Sequence, residues 1–142
     1  MSRRGFSLLE MVIVLAITGG ILALSAGSFL SLAPKYRLES AVWETRAALN
    51  RARVQALRDG VSYRVRFPAA GITTERYDPE RKAWILWRRT VPEGVLVTAN
   101  NAPVFTALGS VTGLATITAA NAWGSYKLTV AITGRVKTAR IP

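Results

Sequence analysis

The chain of 142 residues contains no cysteine and no histidine. The missing cysteines exclude a disulfide framework and thiolate chemistry. The missing histidines remove the commonest general base and the commonest ligand of transition metals. Only eight acidic residues are present, spread along the chain, and they form no recognisable catalytic dyad, triad or metal-ligand set. We therefore predict that the protein is not an enzyme and that it uses neither a cofactor nor a metal ion.

Negatively charged residues are few. The chain has 19 lysines and arginines, so its formal net charge is +11. A strong positive balance favours an acidic partner, which can be nucleic acid, anionic lipid or an acidic protein surface. The alternative is that the charge keeps the protein soluble and sets the orientation of a membrane segment, whose positive end stays in the cytoplasm. Charge alone does not choose between these interpretations.

One long segment lacks charge altogether, from residue 11 to residue 34. The apolar stretch over residues 6–33 is long enough for a helix of about 20 residues to cross a bilayer. The apolar core of a secretory signal peptide usually has only about 7–15 residues. A conventional signal peptide, cleaved near Ser25-Ala26-Gly27, remains the alternative, although the run is long for one and begins close to Arg4.

Beyond Pro34 the sequence remains typical of a helix, because apolar or small residues recur at alternating steps of four and three. This stripe consists of Leu38, Val42, Thr45, Leu49, Ala52 and Ala56. We expect the helix to end at Asp59-Gly60, with Gly60 in the left-handed conformation that often follows a last turn. One helix from about Phe6 to Arg58 would be roughly 80 Å long at 1.5 Å per residue.

After Gly60 the apolar period changes to two, which is typical of half-buried strands. The predicted strands span residues 61–67, 72–77, 83–90, 95–97, 102–106, 114–118, 126–133 and 135–141. Short strands separated by turn residues indicate a small antiparallel sandwich or a strongly curved sheet. The predicted fold class is therefore α+β, with a long N-terminal helix packed on a C-terminal antiparallel β-sheet or sandwich head.

The first eleven residues carry a specific pattern. A basic leader, MSRRG, precedes Phe6, and Glu10 follows four positions later at the start of the apolar run. This pattern resembles the leader and mature start of type IV prepilins and pseudopilins. In that family a membrane aspartyl peptidase cuts after the glycine, and the new N-terminal Phe is N-methylated. The resemblance implies cleavage between Gly5 and Phe6, methylation of Phe6 and a role for Glu10 in filament assembly.

Physical chemistry supports that role for Glu10. An ionised acid among apolar helices needs a partner, and cleavage would create one in the α-amine of Phe6 on a neighbouring subunit. Such a pair would favour in-register addition, because a misplaced subunit would leave the charge unpaired. The alternative is a glutamate that merely reaches the membrane interface.

Two further segments indicate which group of pilin-like proteins the chain resembles. The helix end over residues 47–60 with the strand after it, and Gly134-Arg135-Val136, are similar to the GspH/FimT family of minor pseudopilins. The chain lacks the cysteines of the C-terminal disulfide loop of major pilins and any Asp/Asn cluster like the calcium loop of the major pseudopilin. The implied function is that of a minor pilin or pseudopilin, a structural subunit of a type IV pilus or a type II secretion-like filament.

These patterns together predict four segments: a prepilin leader (1–5), a transmembrane and assembly helix (6–34), an amphipathic half-helix (35–60) and a β-rich head (61–142). The resemblance implies other pilin or pseudopilin subunits, prepilin peptidase and the inner membrane as partners. It implies a single-pass protein of the bacterial inner membrane with a periplasmic head, later incorporated into a periplasmic or cell-surface filament. A simple anchored periplasmic domain without a filament is the remaining alternative.

The C-terminal run over residues 134–140 is a candidate DNA-binding site, which is the alternative function. In some FimT-like minor pilins of naturally transformable bacteria, an arginine-bearing C-terminal segment contacts DNA, so the resemblance implies Arg135, Lys137 and Arg140 here. Alternation places Arg135 and Lys137 on one face of a strand and Arg140 on the other.

Four more residues would enlarge this basic patch if the fold brings them close to the C-terminal run: Arg64, Arg66, Arg88 and Arg89. Such a surface would bind DNA weakly, non-specifically and in a salt-dependent manner during DNA uptake. The alternative is an edge strand whose charges prevent aggregation.

Overall fold

The computed structural model describes residues 7–141, and within its helix residues 24–30 are described by backbone conformation alone. Helix α1 spans Leu8–Asp59 and continues through Pro34. It ends as predicted, because Gly60 adopts a φ of +66° and its N–H donates to the Ala56 carbonyl at 3.1 Å. A glycine stops the helix here because it enters the left-handed region without a Cβ penalty.

Nine strands follow α1 in the described residues. They are β1 (Tyr63–Arg66), β2 (Ile72–Asp78), β3 (Ala83–Thr90), β4 (Leu96–Ala99), β5 (Val104–Phe105), β6 (Val111–Thr112), β7 (Thr116–Asn121), β8 (Gly124–Val130) and β9 (Val136–Ile141). The first sheet has the order β3-β2-β1-β5-β6 and the second the order β4-β7-β8-β9. Every pairing is antiparallel. The predicted α+β class, a long helix with an antiparallel β head, is confirmed.

Two details differ from the sequence-based expectation. Strand β6 lies in a stretch without a predicted strand, because two residues are too short to show an alternating pattern. The turn between β7 and β8 is also tighter than the predicted break at residues 121–125. The Asn121 side chain accepts a hydrogen bond from the Trp123 N–H at 2.9 Å, a local bond that favours a tight turn.

The chain divides into two compact units, Met1–Ala33 and Pro34–Pro142. In the first unit every side chain from residue 7 to residue 23 is exposed, including Leu8 (83%), Leu15 (71%) and Leu22 (65%). A helix that is apolar on all sides is typical of a helix buried by lipid or by other proteins. Over residues 7–23 and 31–141, whose side chains are described, no helical segment is both long and apolar enough to cross a membrane.

In the second unit a single core joins α1 to both sheets. All six members of the predicted stripe on α1 are buried. The first sheet adds Tyr63 and Val65, and the second adds Ile117 and Leu128. The one polar member, Thr45, donates its hydroxyl to the Ala41 carbonyl at 2.7 Å, so its burial leaves no unpaired donor. The amphipathic half of α1 is thus the central element of the head.

Candidate functional sites on the N-terminal helix and in a basic groove

Glu10 lies in the first turn of α1 and is the only acidic residue of the first unit. It is exposed, and so are its apolar neighbours Leu9 (68%) and Met11 (55%). An acid at this position interacts favourably with the positive end of the helix dipole. Among the described residues the Glu10 carboxylate has no hydrogen-bond or ion-pair partner. The predicted cleavage and methylation sites, Gly5 and Phe6, lie outside the described residues.

A groove of about 800 Å³ lies in the second unit between α1 and β9, an edge strand of the second sheet. One wall consists of Arg46, Asn50 and Arg53, which share one helix face because they are four and three residues apart. The other wall is the chain from residue 133 to residue 139, which includes Arg135 and Lys137. Four cations and no acidic residue therefore line the groove.

The absence of a side chain at Gly134 leaves room for the Arg53 side chain beside β9. The φ of Gly134 is +77°, and a Cβ there would lie 2.8 Å from Arg53 Nε and 2.9 Å from Arg53 Cδ. The Arg53 Nε is buried and has no hydrogen-bond partner in the described part of the chain. Glycine at this position serves both the left-handed turn and the close approach of the arginine.

The turn that contains Gly134 also sets the register of β9. The Gly134 N–H donates to the Ala131 carbonyl at 2.8 Å, and the Ala131 N–H donates to the Arg135 carbonyl at 2.9 Å. Bonded and non-bonded pairs alternate along an antiparallel ladder, so every second residue after Arg135 bonds to β8. The backbone N–H and C=O groups of Val136 and Thr138 therefore point away from β8. Both residues line the groove, so one of its walls is a strand edge that pairs with no strand in the part of the chain that the structure describes.

Arg140, also predicted as a DNA-binding residue, lies on β9 but is not among the residues that line the groove. Its guanidinium lies 4.2 Å from the centre of the Trp123 ring, and Lys35 Nζ lies 5.7 Å from the same ring. Contacts of this kind are favourable cation–π interactions. Arg140 thus contributes to a small cluster around Trp123.

Arg64 and Arg66 lie on β1, in the other sheet, where both pair with Glu75. Arg64 Nη2 is 2.5 Å from Glu75 Oε2, and Arg66 Nη1 is 3.4 Å from Glu75 Oε1. The register of β1 and β2 brings Arg64 directly opposite Glu75. The guanidinium of Arg64 also lies 4.5 Å from the centre of the Trp84 ring. These two arginines are therefore partly neutralised and do not line the groove.

Arg88 and Arg89 lie on β3, at the edge of the first sheet. The Arg88 guanidinium is 5.5 Å from the centre of the Trp87 ring, and Arg89 donates to the Ala70 carbonyl at 3.0 Å. Neither residue lines the groove. Of the seven predicted DNA-binding residues, the structure brings together Arg135 and Lys137 and places the other five elsewhere.

The wall that α1 contributes is absent from the residues predicted for this site from the sequence. The spacing of Arg46, Asn50 and Arg53 was available as a signal, because it predicts one polar and basic helix face. The sequence alone could not show that this face lies beside the C-terminal strand, since that contact depends on the packing of α1 against the second sheet.

Residues 1–27 match the prokaryotic N-terminal methylation motif. No curated protein matches the chain.

Among solved structures, the chain is similar to the minor pseudopilin EpsH from the type 2 secretion system of Vibrio cholerae. Two EpsH structures give TM-scores of 0.62 and 0.58 at 14% and 16% identity, and they cover 78% and 75% of this chain and 97% and 96% of EpsH. The type IV minor pilin FimU of Pseudomonas aeruginosa gives a TM-score of 0.59 at 18% identity, covering 76% of this chain and 90% of FimU. The motif and these similarities confirm the predicted resemblance to minor pilins and pseudopilins at the level of leader pattern and fold.

Proposed function

We propose that this chain, with the methylation motif and the fold of minor pilins and pseudopilins, is a structural subunit of a type IV pilus or of a type II secretion-like filament. The proposal rests on the exposure of the N-terminal part of α1. Every side chain from residue 7 to residue 23 is exposed, and most of these side chains are apolar. A helix of this kind needs lipid or apolar partner helices to cover it. In a filament, other subunits supply that cover through their own N-terminal helices.

The same proposal assigns the processing steps. Cleavage by prepilin peptidase between Gly5 and Phe6 and methylation of Phe6 precede assembly. Until then, residues 6–34 anchor the protein in the bacterial inner membrane. Arg3 and Arg4 hold the leader on the cytoplasmic side, and the head lies in the periplasm.

Glu10 then selects the register of assembly. Removing one partner of a buried ion pair costs about 3–5 kcal/mol, because it leaves an uncompensated charge. A neighbouring subunit in register would present the α-amine of Phe6 to Glu10. A subunit displaced along the helix would leave both groups unpaired, so the pair disfavours wrong additions.

The experiment compares Glu10→Ala, Glu10→Gln and Glu10→Asp in a cell that assembles the filament and lacks the wild-type gene. We expect prepilin peptidase to cleave the first two variants normally. Their amount in the sheared filament fraction should decrease at least about tenfold, because leaving the α-amine without its partner costs about 3–5 kcal/mol. Glu10→Asp retains the charge and should assemble better than both. Glu80→Gln, which removes an exposed carboxylate from the head, is the matched control. Assembly of Glu10→Ala at the wild-type level would overturn the role of Glu10.

DNA uptake is the second candidate function, and one observation favours it. Arg135 and Lys137 of the C-terminal run share a groove with Arg46 and Arg53, so four cations converge. Such a surface would bind phosphates with strong salt dependence and little sequence preference. The full-length protein in detergent micelles should then retard duplex DNA at low salt. An equal retardation by the variant with both Arg135→Ala and Lys137→Ala would exclude the C-terminal run as a DNA site.

A further inference from the structure

We propose that the open edge of β9 and the groove beside it form a docking site for an extended, acidic segment of a partner polypeptide. The segment adds to the second sheet as a further strand beyond β9. This inference goes beyond the proposed filament function and does not depend on it, because it concerns a surface of the head alone.

The backbone of β9 provides the first argument. Its groove-side edge carries the unpaired N–H and C=O groups of Val136 and Thr138, and an open strand edge is a template for another strand. Proteins commonly protect such edges with a proline, a bulge or charged side chains. Strand β9 has no proline, and its register with β8 is continuous from Val136 to Ile141, so its protection consists of the charges of Lys137 and Arg140. These charges repel a basic strand but not an acidic one. The groove also prevents α1 from closing the edge.

Charge provides the second argument and defines the partner. The groove is lined by four cations without an acid, and the whole chain carries +11. The adjoining hollow, which shares Arg46 and Thr138 with the groove, adds one acid, Glu39, so the cations still outnumber the acids along this edge. Like charges on adjacent strands are destabilising, so this edge disfavours a second copy of the same chain. A strand with carboxylates experiences the opposite effect, because arginine and carboxylate form strong charge-assisted hydrogen bonds.

The geometry of the walls provides the third argument. Side chains of an added strand alternate between the two faces of the sheet, so one set would face α1 and the other the face that carries Lys137. Arg46 and Arg53 are two helical turns apart, about 10 Å along α1. Carboxylates two to four residues apart in an extended strand span roughly 7 to 13 Å, which brackets that distance. The buried Nε of Arg53, which has no hydrogen-bond partner among the described residues, provides a further N–H donor for a carboxylate at this wall.

A polypeptide fits this groove better than nucleic acid does. The open edge presents carbonyl acceptors as well as N–H donors, and a strand satisfies both kinds of group. A phosphate is only an acceptor, so it would leave the carbonyls of Val136 and Thr138 without partners. Polar groups that are left unsatisfied in an interface weaken binding.

The first test uses the full-length protein in detergent micelles and a labelled eight-residue peptide of alternating threonine and glutamate. Fluorescence anisotropy measures affinity, and amide hydrogen exchange measures protection of Val136 and Thr138. We expect binding together with slower exchange of these two amides. Two control peptides should bind at least about tenfold more weakly, a difference of 1.4 kcal/mol. One replaces glutamate with glutamine, and the other keeps the sequence but is N-methylated at every backbone amide, which removes every N–H.

Two variants make the test specific. Thr138→Pro removes an N–H that faces the groove but no ladder bond to β8, a position where an edge strand tolerates proline. Arg46→Gln removes one cation from an exposed side chain, so it tests the site without endangering the fold. Each should weaken the threonine–glutamate peptide at least about tenfold. Arg81→Gln, an exposed arginine in the turn after β2, is the matched control and should bind like the wild type.

Three results would overturn the proposal. The first is equal binding of the N-methylated and unmodified threonine–glutamate peptides, which would mean that charge alone is recognised. The second is wild-type affinity in Thr138→Pro that near-UV circular dichroism shows to be folded, or in Arg46→Gln. The third is tight binding of a duplex DNA probe by a protein that does not bind the threonine–glutamate peptide. Each of these results leaves the Glu10 assembly experiment unaffected.

Discussion

Replacing Gly134 with alanine should destabilise the head more than the same replacement at Gly60, although both glycines have positive φ angles. The φ angles are +77° and +66°. Left-handed backbone costs a non-glycine residue about 1–2 kcal/mol. A Cβ at Gly60 would meet no atom within 4 Å. We therefore expect Gly60→Ala to lose only the backbone contribution, about 1–2 kcal/mol.

At Gly134 a steric penalty adds to the backbone penalty. The new methyl would lie 2.8 Å from Arg53 Nε and 2.9 Å from Arg53 Cδ. Carbon contacts are optimal at about 3.5–4.0 Å, so either Arg53 or the turn must move. Overpacking of a core typically costs about 1–3 kcal/mol, and the low end applies here because the neighbour is a flexible arginine side chain beside an open groove. With about 1 kcal/mol of steric cost, the sum predicts a loss of about 2–3 kcal/mol for Gly134→Ala.

Urea denaturation of the full-length protein in detergent micelles measures this difference. All four tryptophans lie beyond Pro34 and report on the head. With an m-value of about 2 kcal/mol/M, the midpoint should fall by about 1–1.5 M for Gly134→Ala and by about 0.5–1 M for Gly60→Ala. Combining Gly134→Ala with Arg53→Ala removes the clashing side chain, so the steric part of the loss should disappear. Equal losses at the two glycines, or no recovery in the double variant, would refute the packing of Arg53 over Gly134.

Two other predictions concern the core and the pH dependence of stability. Leu49→Ala should lower the free energy of unfolding by about 2–5 kcal/mol because Leu49 is fully buried, whereas Trp43→Ala, at a side chain 73% exposed, should change it by about 0.5 kcal/mol or less in the same urea assay. Burial, together with the hydrogen bond to Asp59, raises the pKa of Tyr63 from 10.0 to about 12. The raised pKa means that the fold favours the neutral phenol, so its contribution is fully present below pH 10 and is lost as pH rises to 12. Tyr63→Phe should flatten this decline in urea midpoints measured from pH 9 to pH 12, and an unchanged decline would refute the assignment.

The helix and its buried face could be predicted from the sequence because they depend on local periodicity. Leu38, the first member of the stripe, and Leu49, the fourth, are both fully buried. The alternation of β1 was equally informative, since Tyr63 and Val65 face the core while Arg64 and Arg66 are less buried. In each case the apolar period alone identifies the face that packs against the rest of the head.

The basic groove could be predicted only in part, because it depends on contacts between distant segments. The sequence identifies Arg135 and Lys137 as exposed cations on a terminal strand, but it does not show that Arg46 and Arg53 lie opposite them. It also cannot show that Glu75 pairs with Arg64, because that contact follows from the register of β1 and β2. Charges that look equivalent in a sequence are therefore divided by the fold into paired and unpaired groups.

The central claim is that the chain is processed and assembled as a pilin-like subunit. The most direct test is mass spectrometry of the mature protein, purified from the membranes of a cell that contains prepilin peptidase. We predict an N-terminal peptide that begins at N-methylated Phe6, and Gly5→Val should abolish that product. A mature protein that begins near Gly27 would instead indicate an ordinary signal peptide and would contradict the account.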